Sequence, residues 1–562
     1  MNAVTASAAS VLIPLAYAIE FAVLLAPGYA IARATADRFR LEPAAVPLLS
    51  YAATALAGYG AFWCFFANPV LGRVASLAWG LVAVIVLARV LRSGAPRHVA
   101  LPYGLTFAAG AFYLAVLYVP STAIGAAQRF FVLRPADNVL PQLFAEHLFQ
   151  GVDPRHAFGD WLSSDRPPLQ SGIDLLVRPV MEYVPATLAQ GYEIAGIIAQ
   201  LAWLPAVWLL CARAGFRGRR RAFVLAVTIF SGFCLYNTVY TWPKLLAAAL
   251  ALAALLFATP GGRANRDASL VLAGVCAALA LLAHGSAVFF IGPALALAVA
   301  FRRVPLRPAL AAAALAAIVL LLPWSAYQRF YDPPGDRLLK MHLAGIDNVD
   351  PRSAAVAIEH AYASTPPSRI LRNKLANVAT AVGDAPLLGS ATTGEPAHPI
   401  DRWRMREREQ VTFALGAANA GWLALAWWWW RRGPSGVARR AATELIVVAL
   451  VSIAFWCLAL WGPGATVTTH GAYAVELVLF VALSAAIAAL PRPLPAIVLA
   501  LAIGDLGITW IGGSLADAWR VAPAVDLVMV VTALLAALAL GGLLAGVAGS
   551  DQNEPGASLS AG

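Results

Sequence analysis

The chain has 562 residues, 60% hydrophobic and only 12% charged, with a formal net charge of +11. Soluble domains carry about 25% charged residues, and here apolar runs of about 20 residues recur from end to end, so the composition excludes a water-soluble protein and points to an all-α polytopic membrane protein. The arginines cluster in short loops between apolar segments, so the basicity reports membrane topology rather than nucleic-acid binding.

The apolar runs place membrane segments at 10–32, 44–66, 70–92, 100–119, 188–212, 221–237, 243–258, 268–284, 286–301, 307–328, 411–430, 438–460, 471–490, 493–512 and 522–547, a bundle of about 13–15 helices. No Lys or Arg precedes the first run near Val11, so the positive region of a cleavable signal is missing. The first, third, fifth, seventh, ninth and eleventh segments exit into arginines, among them Arg33, Arg38 and Arg40 after the first, Arg213 to Arg221 after the fifth and Arg431 to Arg440 after the eleventh. These loops are expected on the cytoplasmic side. The polar remainder then shares the opposite face: the 120–187 loop, Asn237 to Lys244, the His284-Gly285 turn, the 329–410 segment and Trp461 to His470. The five cysteines (Cys64, Cys211, Cys234, Cys276 and Cys457) all lie inside apolar runs without a CxxC pair, and read as small buried hydrophobes.

The 120–187 loop concentrates charge: Arg134, Asp137, Glu146, Asp153, Arg155, Asp160, Asp165 and Arg166 fall between two long apolar runs. Within it Val139, Leu140, Leu143, Phe144 and Leu148 repeat at helical spacing, with Gln142, Glu146, His147 and Gln150 on the other face, which predicts an amphipathic helix along the membrane surface. Ile173 to Tyr183, ended by Pro185, predicts a second. The 329–410 segment is too polar to span and predicts a small extracytoplasmic cap. The 550–562 tail, rich in Gly, Ser, Asp and Pro, predicts disorder.

Two readings are open for Asp137: an N-cap of the first surface helix, or a general base at the membrane–water boundary. In Ser164-Asp165-Arg166-Pro167-Pro168 the prolines fix the backbone, so Arg166 beside Asp165 is either a phosphate or sugar ligand or a local ion pair in a turn. Lys244, after Tyr240-Thr241-Trp242-Pro243, is a phosphate contact or a snorkelling lysine. His284 is a donor-phosphate ligand or a satisfied turn residue. Arg337 and Lys340 share one helical face after Pro333-Pro334-Gly335, as an anion cradle or an interfacial anchor. Glu146, His470 and Tyr473 are candidates to line the same cavity. The scattered histidines lack zinc-type spacing, and no Walker or GxGxxG loop appears, so no metal or other cofactor is expected.

The order Asp137-Asn138, Phe144-Ala145-Glu146, Gly159-Asp160-Trp161 and Asp165-Arg166-Pro167-Pro168-Leu169-Gln170 resembles the first outer loop of lipid-dependent glycosyltransferases of the GT-C fold, in particular lipid A aminoarabinose transferases and protein O-mannosyltransferases. About 40 residues carry the likeness, with the general layout running to about residue 330. Two features depart from it: Asn138 stands where a second acid is common, and four segments precede the loop where relatives usually have one. The resemblance implies a GT-C-like core over 100–328, preceded by an added block at 1–99 and followed by the cap and a C-terminal block at 411–549. It also implies a polyprenyl-phosphate sugar donor, an extracytoplasmic acceptor, membrane lipid as surroundings and Asp137 as the catalytic base. The expected activity is thus an inverting glycosyl transfer at the outer face of a bacterial-type inner membrane. A transporter or flippase of lipid-linked glycans is the alternative, and a non-catalytic assembly scaffold a third.

Overall fold

The structure is a computed structural model, and it describes residues 3–94, 96–120, 136–156, 161–184, 188–261, 264–301, 308–382, 399–431, 436–462, 473–513, 515–516 and 525–549. Among them are helices and no strands. Four long helices open the chain: α1 (Ala3–Phe39), α2 (Val46–Ala67), α3 (Pro69–Ser93) and α4 (Arg97–Tyr118). The first loop holds α5 (Leu140–Gln150) and α6 (Leu169–Met181). Next come α7 (Leu188–Gln200), α8 (Trp203–Arg213), α9 (Gly218–Ile229), α10 (Gly232–Val239), α11 (Lys244–Ala258), α12 (Arg266–Ala283), α13 (Val288–Ala300) and α14 (Pro308–Ala326). The polar segment that follows forms α15 (Arg337–Ala344), α16 (Ala354–Ser364), α17 (Pro367–Val382) and α18 (Pro399–Glu409). The chain closes with α19 (Val411–Ala414), α20 (Ala420–Trp430), α21 (Val437–Ala459), α22 (Tyr473–Ile487), α23 (Leu494–Asp505) and α24 (Leu527–Gly549).

Among the described residues ten helices are long and apolar enough to cross a membrane, eleven if α9 and α10, bent by 56° at Phe230-Ser231, are taken as one span. Three shorter apolar helices, Lys244–Ala258, Gly285–Ala300 and Tyr473–Ile487, account for three further expected segments. The remaining one, 411–430, is not continuous. It breaks into α19, a 3-10 turn at Gly416–Asn419 and the 11-residue α20, with Gly416 at φ 46°. A left-handed glycine at that point ends the i→i−4 ladder, which an apolar composition alone cannot reveal.

Burial sorts the spans into rings. The Gln190–Arg213 span is wholly enclosed, whereas Pro69–Ser93, Pro308–Tyr331 and Leu527–Gly549 are buried over only 17%, 11% and 17% of their apolar windows. The outer helices turn Leu and Val outward because lipid solvates them as well as a protein core does. The chain's last helix, α24, packs on α4, which joins the C-terminal block to the opening one.

Hydrogen bonds divide the molecule into two ends. At one, the Asn265 amide donates to Phe39 O (2.9 Å), and Arg213 binds Glu42 and the Leu256 and Thr259 carbonyls, so the arginine-rich loops gather there. At the other, the 120–187 loop, the Tyr240–Lys244 turn, the 329–410 segment and the Trp461 region interlock: Asn138 Nδ2 donates to Tyr240 O (2.9 Å), Ser163 Oγ to Asp332 (2.6 Å), and the Trp461 amide to His342 O (2.8 Å). Four of the five predicted polar segments therefore meet at one end through these bonds, the last of them at Trp461.

The second surface helix is corrected. Ile173 to Tyr183 is not an exposed amphipathic helix: α6 is buried along nearly its whole length, wedged against α2, α3 and α7. Gly172 and Gly58 let the backbones touch, since a Cβ on Gly172 would stand 2.1 Å from Gly58 O. Small residues are what close helix crossings require. The cap is also more than a lid, because α18 inserts Arg404, Glu407 and Arg408 between membrane helices. Trp510 Nε1 donates to Glu407 (2.7 Å) and Arg404 Nε to Thr509 O (2.8 Å), both in a π-helical stretch, Leu506–Gly512.

Candidate functional site

The turn before α11 is the most strained part of the polar end. Thr241 is β-branched yet sits at φ 56°, a left-handed conformation that costs about 1–3 kcal/mol and survives only where the surroundings impose it. Those surroundings are explicit. Gln170 Nε2 donates to Thr241 O and to Tyr192 Oη (2.8 Å), and its amide oxygen accepts from Gln200 Nε2 (3.1 Å). Gln200 in turn accepts from the Leu246 amide (3.0 Å), and Tyr192 Oη donates to Asn138 O (2.6 Å). Asn138 completes the web through Tyr240 O. All four side chains are buried, so each bond is made in a low-dielectric interior where an unmet partner is costly. Asn138, which stands where a paired acid was expected, thus ties the loop to the strained turn.

That turn points Lys244 into the protein. The lysine is 2% exposed, its Nζ 3.4 Å from the centroid of the Trp242 ring and 5.2 Å from that of Tyr473. Two histidines and Arg166 lie near it. His284, which caps its own turn by accepting from the Ser286 amide (3.2 Å), is held well below its usual range by burial, then by the charges of Lys244, His342 and Arg166. His342 is pushed down to about 4 by burial and Lys244. Burial disfavours the protonated form of both histidines first, and the nearby Lys244 charge adds to it.

Arg166 and Arg337 flank the same region through one aromatic ring. Their guanidinium carbons lie 4.2 Å and 5.3 Å from the Trp161 centroid. Arg337 also contacts Asp165 (3.3 Å), which is buried and pushed above its usual range by desolvation, while Asp165 accepts from the Leu162 amide (3.0 Å). The neighbouring Ser163-Ser164 pair is gripped by Asp332, and Gln328 Nε2 bonds both Ser164 O (3.0 Å) and Gly335 O (3.1 Å). The loop and the cap therefore hold Arg166 and Arg337 in register.

Of the predicted site residues, the structure brings together Asp165, Arg166, Lys244, His284, Arg337 and Tyr473. Lys340 departs from the expected cradle. It is fully buried and engaged by Asp336 (2.6 Å) and the Asp350 carbonyl (2.7 Å), so it fastens α15 to its own turn. Glu146 lines a different, polar cavity of about 10 Å³, room for about one water, with Asp174, Arg178 and Tyr192, and pairs with Arg178 (2.5 Å). The backbone of Asp137 lies in the 3-10 turn Ala136–Val139, but its side chain, like Arg134, Asp160 and His470, is outside the described residues. Sequence reasoning missed His342, Trp161 and Gln170 as contributors. The first two sit in ordinary helical or loop contexts, and only the fold carries them to Lys244 and Arg166. Compared with known protein families, curated proteins and solved structures, the chain matches none.

Proposed function

We propose that the protein is an integral-membrane glycosyltransferase that takes a sugar from a polyprenyl-phosphate donor. One observation carries the reading: the buried Arg166 and Lys244 and the half-buried His284 and His342, drawn from four separate parts of the chain, meet at the polar end, where the Lys244 charge bears on both histidines. Such a site suits an anionic group that must gain charge as a bond breaks. In the proposed step Asp137 accepts the proton of the acceptor hydroxyl, the acceptor oxygen bonds to the anomeric carbon, and the bond from that carbon to the phosphate oxygen breaks with inversion. Polyprenyl phosphate leaves with the electron pair, its charge met by Arg166, Lys244 and, once an anion is present to favour protonation, the two histidines.

The test is incubation of purified protein with a labelled polyprenyl-phosphate sugar and a mixture of envelope acceptors. Wild type should release free polyprenyl phosphate, and Asp137→Asn should abolish release while leaving expression and gel-filtration behaviour unchanged. Full activity of Asp137→Asn would remove Asp137 from the mechanism. The second reading, a transporter of lipid-linked glycans, draws on Glu20 and Glu476. Both are buried in apolar helices with carboxylates that find no hydrogen-bond partner among the described residues. Movement of the labelled lipid across a vesicle bilayer without bond cleavage would favour it.

A further inference from the structure

At the arginine-rich end, far along the chain from the polar site, an open groove of about 370 Å³ runs between Phe301, the residue that follows α13, the end of α20 and the first three turns of α21. Its position at that end follows from Gly215 in the α8–α9 loop, where an added Cβ would lie 3.6 Å from Val437. The groove is basic at its mouth, with Thr443 and the Arg440-paired Glu444 on the wall below and the apolar side chains of Phe301, Trp429 and Val447 making up the rest. Arg439 and Arg440 line the mouth, and Val447, eight residues later on α21, lines the floor about 12 Å deeper. Arg439 lies 4.7 Å from the Trp429 ring centroid and has no ion pair among the described residues. Arg440 is shared with Glu444 (2.9 Å), so the lining keeps a net positive charge. The rim is aromatic and turned outward: Trp429 is 51%, Trp430 81% and Phe301 60% exposed.

We infer that this groove binds one anionic phospholipid of the leaflet at the arginine-rich end, with its phosphate at Arg439 and Arg440 and an acyl chain along Val447. Charge above and an apolar slot below match the two halves of an amphiphile. Tryptophan and arginine together belong at the headgroup level of a bilayer, where a ring is wetted on one side and greased on the other. A free phosphate would use the arginines but not the slot beneath them. A zwitterionic lipid would fill the slot, but its own cation would oppose the Arg439 charge. The anionic lipid alone uses every part of the groove. The site is independent of the transfer chemistry proposed above.

The experiment uses the full chain in neutral detergent, with thermal stability and native mass spectrometry read against phosphatidylglycerol, phosphatidylcholine and inorganic phosphate. Phosphatidylglycerol should raise Tm saturably and leave one lipid bound, while the other two should not. Arg439→Gln/Arg440→Gln should weaken the effect about thirtyfold, since each basic residue near a membrane surface is worth about 1 kcal/mol toward an anionic lipid. Val447→Trp should weaken it by filling the slot without changing charge, which separates loss of the site from loss of the fold. Equal stabilisation by phosphatidylcholine, full stabilisation by phosphate alone, or unchanged binding in both variants would each overturn the assignment.

Discussion

Lys244 and Lys340 are the first two lysines of the chain, both deeply buried, and they do opposite things. Lys340 answers Asp336 and a carbonyl, so Lys340→Met should cost about 2–3 kcal/mol, short of the ~3–5 of a fully buried pair because Asp336 keeps some access to water. A thermal melt in detergent should show that loss with the donor KM unchanged. Lys244 faces two aromatic rings and the histidines, so Lys244→Ala should cut kcat by about 10²–10³-fold, the range seen when one charge-stabilising group is removed, with little change in Tm. Thr241→Gly tests the turn itself. Relief of the left-handed threonine should hold or raise stability by about 1 kcal/mol, while slackening Trp242 and Lys244 enough to lower turnover.

Among the helices, α6 decides most. Its apolar pattern and Pro185 downstream made a helix legible, but not its burial, because an amphipathic stretch has the same periodicity whether its polar side meets water or a polar cavity. The cavity is supplied by α5 and α7, and Asp174 and Arg178 face it. Gly172→Ala should therefore be strongly destabilising, by about 1–3 kcal/mol or more from overpacking against Gly58, visible as a lower Tm and reduced yield. Asp174 adds a pH signature. Burial pushes its carboxyl up to about 7, with Glu146 adding and Arg178 opposing. A group raised in the folded state contributes stability that is full below its unfolded pKa, near 4, and is lost as pH rises through about 7. Asp174→Asn should thus gain on wild type between pH 5 and 8, by on the order of 4 kcal/mol at the upper end, measured as the difference in chemical denaturation.

For the whole molecule, the two ends make a claim that labelling can check. A cysteine at Gln150 and one at Arg219, both exposed, should react with an impermeant thiol reagent from opposite sides of the membrane. Labelling of both from one side would undo the assignment of loops to ends. The sequence by itself determined the class, most spans and the grouping of loops, because bilayer thickness and the energetic cost of burying charge in lipid act on composition directly. It also pointed to Arg166, Lys244 and His284 as residues of one face. Only the tertiary structure decided that 411–430 breaks, that α6 is interior, that Lys340 is structural and that His342 joins Lys244. Each of those depends on which side chains meet across segments distant in the chain, and local pattern carries no record of such meetings.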